Sequence, residues 1–327
     1  MSHLLRWLLL PSLAVGWGTG CATVKTPRKK AAMVRPFILN TYARARLQLS
    51  ADGQEQGLND PGQMALLPNS RGALGVAVGK GGTSFSVTQD PEPDPESVEE
   101  KGETEYSDFQ FHTVQGHYGL DIFLQGYKGY FLDPPTAVNP NYQEGDPYPQ
   151  YPDMSINRRG VSLFYVFHPK DYVYNAAFSQ TQFQKSSGWS VITFISANNY
   201  RVKGIPTELT SQYAYQFEDP ENADFEVTSY SWVIGPCFTL KSSYGPFLSG
   251  ILGILGASYQ YFGSPSELWD ADRNGGSKST FRVSAGIDRG WWFMGALMVS
   301  DSENFHDKSL QVGVESEVFE YFVGFRR

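Results

Sequence analysis

Apolar and polar side chains alternate with a period of two along much of this chain, and no stretch carries the 3.6-residue period of a long amphipathic helix. In YGLDIFLQGYKGYFL, Leu120, Ile122, Leu124 and Tyr130 fall on one face, with Asp121, Phe123, Gln125 and Tyr127 on the other. In TFRVSAGID, Phe281, Val283, Ala285 and Ile287 oppose Arg282, Ser284, Gly286 and Asp288. Near the end, Phe319, Tyr321, Val323 and Phe325 oppose Glu320, Phe322, Gly324 and Arg326. One face is apolar and the other mixed. A β-sandwich with its polar face in water and a barrel in lipid with a polar lumen both produce that pattern.

The alternation predicts strands over 37–49, 71–79, 82–89, 106–114, 117–131, 160–168, 172–182, 187–199, 226–240, 246–262, 279–288, 291–301 and 308–326. Single-chain bacterial barrels have even strand counts, so at least one of these thirteen is wrong if the sheet closes in that way. The weakly apolar 106–114 and the break between 182 and 187 are the weakest points. Short connections at 79–82, 168–172 and 289–291 contrast with long ones at 50–70, 132–159, 200–225 and 262–278, the asymmetry of outer-membrane barrels. The longest apolar run, GILGILGASY from Gly250, is too short for a membrane helix and reads as a strand buried on both faces. The fold expected is all-β: an antiparallel meander closed into a β-barrel of about 12 strands with long loops on one side.

Two connections have a composition of their own. DPEPDPESVEEKGETE, residues 90–105, is acidic and proline-bearing and reads as a solvated, mobile loop. DPPTAVNPNYQEGDPYPQYPD, residues 133–153, reads as an irregular outer loop with polyproline segments. SPSE at 264–267 could cap a helical turn through Ser264 and Glu267.

Residues 1–20 have the build of an export signal: His3 and Arg6, an apolar run from Trp7 to Val15, then Gly16, Gly18, Thr19 and Gly20. Two cut sites compete. Gly18-Thr19-Gly20-Cys21 resembles a bacterial lipobox, which would place a lipid on the Cys21 sulfur, and ordinary cleavage after Gly20 or Ala22 is the alternative. Lipidation at Cys21 is the reading adopted, since acyl chains would anchor the chain at about 0.8 kcal/mol per buried CH₂. Residues 21–35 form a basic linker whose Lys25, Arg28, Lys29, Lys30 and Arg35 would lie against anionic headgroups or in solvent, and 36–327 form one barrel domain.

The chain carries 26 basic and 34 acidic residues, and losing Arg6 with the signal leaves a net charge of −9, which argues against nucleic acid as a partner. With two cysteines there is no disulfide framework, and Cys237 in WVIGPCFTL reads as a packed side chain. An aromatic share of 15% beside 33 glycines suits a β-rich chain with many turns.

Three stretches resemble a bacterial outer-membrane β-barrel family catalogued as domain of unknown function 4421. They are RPFILNTYARARLQLS followed by LLPNSRGALGVAVG; the Gln125-Gly126-Tyr127-Lys128-Gly129-Tyr130 core; and YVYNAAFSQTQFQKSSGWS, where Ala177-Phe178-Ser179-Gln180-Thr181 leads to Gln184-Lys185-Ser186 and Gly188. The resemblance implies a barrel in the outer membrane of a Gram-negative bacterium, with outer-membrane lipid and the barrel assembly machinery as partners. It supplies no catalytic residues. The chain closes Phe325-Arg326-Arg327, whereas an aromatic commonly ends such barrels.

The chemical motifs are weak. His112, His117 and Asp121 could be ranged as metal ligands, but 112 and 117 lie on opposite faces of one strand unless a turn at Gly116 intervenes. GVAVGKGG at 75–82 echoes a phosphate loop but lacks its spacing, its closing Ser or Thr and its helix, so a hairpin turn is expected. There is no G-x-S-x-G or H-E-x-x-H. No histidine has a serine two residues away, and His306 and Ser309 are three apart. No catalytic, metal or cofactor site is expected. Glu315, Glu320, Asp121, Arg282 and Asp288 are candidates for a lumen, either as a selectivity lining or as a hydrogen-bonded filling, with the filling preferred. The expected protein is therefore a non-catalytic outer-membrane barrel with a structural, binding or small-solute role. The rivals are a periplasmic lipoprotein with a β-sandwich or open barrel, and an outer-membrane hydrolase.

Overall fold

The computed structural model describes residues 32–49, 63–69, 73–89, 94–205, 224–253, 255–263, 272–307 and 310–327. The export signal, Cys21 and the 264–267 turn lie outside the described residues. The strands are β1 (Ala32–Leu49), β2 (Gln63–Leu67), β3 (Ala73–Lys80), β4 (Thr83–Gln89), β5 (Glu105–Gln115), β6 (Tyr118–Asp133), β7 (Gln150–Val166), β8 (Gly188–Lys203), β9 (Phe225–Lys241), β10 (Pro246–Gly253), β11 (Leu255–Gly263), β12 (Asp272–Gly276), β13 (Lys278–Asp288), β14 (Trp292–Asp307) and β15 (Leu310–Arg326). Two short helices, α1 (Pro95–Lys101) and α2 (Tyr174–Ala177), interrupt them.

All pairings are antiparallel, and the sheet closes. β15 pairs with β1 (Phe322 opposite Phe37), and β9 pairs with β10 (Cys237 opposite Ile251), so β1, β3 to β10 and β13 to β15 form a ring of twelve. β11 and β12 pair with each other and continue β10 and β13 toward the far rim. A closed ring rules out the sandwich. β2 pairs with β1 on one side and with β6 on the other (Leu67 opposite Phe131), so toward that rim it stands in for β3, β4 and β5. Ala32 and Arg327, the Gly81-Gly82 hairpin expected in place of a phosphate loop, and the turns at 116–117, 242–245 and 289–291 lie at one end, the terminus-bearing end. The strand ends that lead into the connections after β1, β4, β6 and β8 lie at the other, whereas the 167–187 connection after β7 starts from the first.

Several expectations need correction. The 172–182 strand does not exist: between β7 and β8 the chain leaves the wall, forms α2 and packs inside the barrel, so Tyr172 through Thr181 are all buried. Removing it yields the even count, while the doubted 106–114 is the genuine strand β5. β7 starts at Gln150, β2 was not foreseen, and the 90–105 segment contains α1, N-capped by the Asp94 carboxylate accepting from the Glu96 N–H at 3.2 Å. Arg35 belongs to β1 and is buried, not part of a linker. Tyr130 is buried, whereas strict alternation would turn it outward with Lys128. Gly129, at φ 90°, sits where the β6–β7 register shifts, as the one residue opposite Pro152, Asp153 and Met154 between the Lys128–Ser155 and Tyr130–Tyr151 pairs.

Phenylalanines and glycines form cross-strand pairs on the inner wall. Phe37 lies opposite Gly75, Phe164 opposite Gly119, Phe123 opposite Gly160 and Phe293 opposite Gly324. Each ring occupies the volume that a Cβ on its partner glycine would need. Gly119→Val is therefore expected to destabilise the barrel by about 1–3 kcal/mol through overpacking. Urea unfolding of detergent-refolded protein checks it, and adding Phe164→Leu should return part of the loss; equal midpoints for Gly119→Val and wild type would refute the packing account.

The apolar faces read from the sequence point outward. Val34, Ile38, Leu74, Val76, Val78, Leu124, Leu163, Ile195, Trp232, Tyr321 and Val323 are all exposed, Ile195 by 63%. Near the terminus-bearing end the exposed set gains the aromatics Tyr118, Trp189, Tyr244, Trp291 and Phe325 beside Val34 and Leu240. Soluble monomers rarely expose an apolar patch above a few hundred Å², and here it encircles the molecule.

Candidate functional site

The inner face of the wall is polar, and most of its charges come in buried groups of opposite sign. Nearest the chain ends, Arg326 forks onto Asp288 (2.9 and 3.1 Å) and donates to the Gly290 carbonyl at 3.1 Å. Beside it Arg35 pairs with Glu320 at 2.7 Å. In the middle, Arg282 meets Asp121 at 3.3 Å and also donates to the Tyr174 hydroxyl, while Asp121 accepts from His112 Nδ1. Toward the far rim, Glu303 accepts from the Tyr200 hydroxyl (2.9 Å) and from Asn198 (3.3 Å) and faces Lys278 at 3.7 Å, and Arg158 lies between the Phe123 and Tyr200 rings. Charges removed from water persist only in such sets.

The segment 167–187 enters this interior from the terminus-bearing end. Gln184 folds it on itself: its carbonyl accepts from the Val173 N–H (3.0 Å) and its amide donates to the Asp171 and Ser186 carbonyls (2.8 and 2.9 Å). Asn175 accepts from His112 Nε2 at 2.9 Å. Gln180, at φ 51° and fully buried, accepts from Arg35 at 2.8 Å through its side chain and from Arg326 through its carbonyl. Tyr174 stacks against His112 and Phe164. Burial pushes its phenol above the ordinary range, so it faces the Arg282 guanidinium as a neutral oxygen. Between this segment and the wall remains a cavity of about 150 Å³, bordered by Arg35, His112, Asp121, Arg158, Arg282 and Glu320. That is room for a handful of waters at about 30 Å³ each.

Of the expected lumen residues, Asp121, Arg282, Asp288 and Glu320 face inward; the side chain of Glu315 lies outside the described residues, as does that of His306. The Gly116 turn brings His112 opposite Asp121 in register, but His117 goes elsewhere, its Nδ1 donating to the Val166 carbonyl at 2.9 Å and its ring stacking on Tyr165. The three therefore do not converge on a metal position. Cys237 is a buried free thiol, as read. Sequence reasoning missed Arg35, Arg158, Lys278, Asp301, Glu303 and Arg326 as interior charges, and missed Asn175 and Gln180 as the contacts of the inserted segment. In β7 the adjacent Arg158 and Arg159 must point to opposite faces, which was a usable signal for one of them.

A closed antiparallel barrel with an apolar exterior and an ion-paired interior defines the outer-membrane type of β-barrel. The chain matches the family described as domain of unknown function (DUF4421) over residues 24–326, and it belongs to that family. No curated protein matches it. Among solved structures it is similar to the outer membrane protease OmpT from Escherichia coli (7% identity, 94% of this chain, 100% of that one, TM-score 0.37). It is likewise similar to the translocator domain of the autotransporter NalP from Neisseria meningitidis (10% identity, 90% and 88% covered, TM-score 0.38). At such scores the description of the fold rests on the strand pairing itself.

Proposed function

We propose that this protein is an exported, non-catalytic barrel of the outer membrane, anchored in addition through a lipid on Cys21, and that its role is structural or binding because the 167–187 segment occupies its lumen. The observation that carries the reading is the inversion of faces: an encircling apolar exterior, aromatic toward the end that bears the termini, around an interior of paired charges. Lipid satisfies that exterior, and a barrel is the only sheet that leaves no unpaired edge in lipid. The side chains best suited to chemistry support a structural role, since His112 spends its ring nitrogens on Asp121 and Asn175. Under this reading the connections after β1, β4, β6 and β8 face outward from the cell, and Ala32 and Arg327 face the periplasm.

Gel mobility of the membrane fraction, with and without boiling and beside a Cys21→Ser variant, tests this. A boiling-dependent shift in both is the expected result, with the variant still membrane-bound. Release of the variant into the soluble fraction without any shift would refute membrane insertion.

A further inference from the structure

Two clefts sit one above the other on the wall, the upper across β5 to β8 and the lower across β7, β8, β9 and β11, and they differ in chemistry. The one nearer the long connections, about 460 Å³, is bordered by Leu124, Asn157, Arg159, Asn199, Arg201 and Lys203. The one beneath it, about 470 Å³, is bordered almost wholly by apolar atoms of Val161, Leu163, Ile195, Tyr230, Trp232 and Tyr259. The strands run through both. Arg159 is followed on the same face of β7 by Val161 and Leu163, and Arg201 and Asn199 on β8 are followed by Ala197 and Ile195. Same-face neighbours are about 7 Å apart along a strand, so charge gives way to hydrocarbon within one step.

We propose that these clefts bind a phosphate-bearing lipid of the outer leaflet, with its phosphate among Arg159, Arg201 and Lys203 and an acyl chain along Leu163, Ile195 and Trp232; this rests on the membrane reading above. The upper cleft is bordered on its outer side by Arg159, Arg201 and Lys203 and by no carboxylate; the nearest, Glu226, lies beside it. Glu226 lies 3.8 Å from Arg159 and 4.0 Å from Arg201, distances that position the two guanidinium groups without consuming their donors. Asn199 fixes the rest: its carbonyl accepts from Arg159 Nε at 3.0 Å and its amide donates to Glu226 at 2.6 Å. Arg159 stays 68% exposed as a side chain and Arg201 43%, on the outer wall and not in the lumen. Fork-shaped guanidinium groups match the several oxygens of a phosphate, and the apolar cleft continues in the direction a lipid tail must take from a headgroup at the rim.

The test uses the full-length barrel in neutral detergent. Binding of diphosphoryl lipid A is measured against the same lipid with its phosphates removed and against inorganic phosphate, for wild type, Arg159→Gln/Arg201→Gln, and Arg289→Gln at the opposite end. The expected result is at least tenfold weaker diphosphoryl binding by the double variant, wild-type binding by Arg289→Gln, and weak binding of both the dephosphorylated lipid and free phosphate. Equal affinity for the two lipids, an unchanged double variant, or phosphate alone binding as well as the lipid would overturn the proposal. Boiling-shift mobility of the same samples separates the two failures: a shifting barrel that does not discriminate refutes only the lipid site, whereas a chain that never shifts refutes membrane insertion as well.

Discussion

Wild-type protein is expected to carry no current in a planar bilayer, and joining His168 to Ser190 through an Asn-Gly turn, with residues 169–189 removed, is expected to make it conduct. The excision is geometrically natural. Val166 and Ile192 are paired, the Phe167 N–H donates to the Val191 carbonyl at 3.0 Å, and the His168 N–H donates to the Ser190 hydroxyl at 2.8 Å. The two strands therefore already approach as a hairpin would, and a two-residue turn suits their twist. What leaves with the segment is the material that fills the terminus-bearing end: Tyr172, Tyr174, Phe178 and Gln180 are all buried there. A ring of twelve is intermediate between small barrels filled by their own side chains and wide porins, so an inserted segment decides whether the bore is open. Arg35, Asp121, Arg282 and Glu320 would then line water instead of Gln180 and Tyr174. Single-molecule conductance is the measurement, with the boiling shift as proof that the shortened chain still closes. A folded but silent variant would mean that the wall charges alone seal the lumen.

The inserted segment also marks where the sequence stops being legible. YVYNAAF alternates as a strand would, but Tyr172, Val173, Tyr174, Asn175 and Ala176 are buried on every side, and period-two alternation cannot tell a wall strand from a packed loop inside the wall. The polar residues Asn175, Gln180 and Gln184 in an otherwise apolar run were the available signal: buried amides need partners, and theirs are His112, Arg35 and the segment's own backbone. The faces of β13 and β15 were readable because neighbours two apart share one environment. The pairing of Arg35 with Glu320 was not, since 285 positions separate them and nothing local distinguishes Arg35 from the basic run before it. The stretches that carry the family resemblance turn out to be special places in the wall. Gly129 takes the positive φ at the β6–β7 register shift, Gln180 and Gln184 hold the inserted segment, and Asn69 secures α1 by donating to the Ser97 and Gly102 carbonyls at 3.0 and 2.7 Å.

The penultimate residue yields the largest expected loss of stability. The Arg326 guanidinium is held on Asp288, the Gly290 carbonyl and the Gln180 carbonyl, with the Arg326 and Asp288 side chains each 4% exposed. Asp288→Leu leaves a buried cation with only two neutral carbonyls. Breaking one partner of a buried pair costs about 3–5 kcal/mol, whereas replacing both partners by apolar groups can be nearly neutral. The expected order in urea unfolding is therefore wild type first, Asp288→Leu/Arg326→Leu close behind, and Asp288→Leu well below both. Because Arg326 also holds Gln180, the double variant should admit small currents through a loosened inserted segment while retaining most of its stability. A single variant as stable as wild type would mean that water reaches Arg326 and that the pair is not what ties β15 to the 288–290 turn.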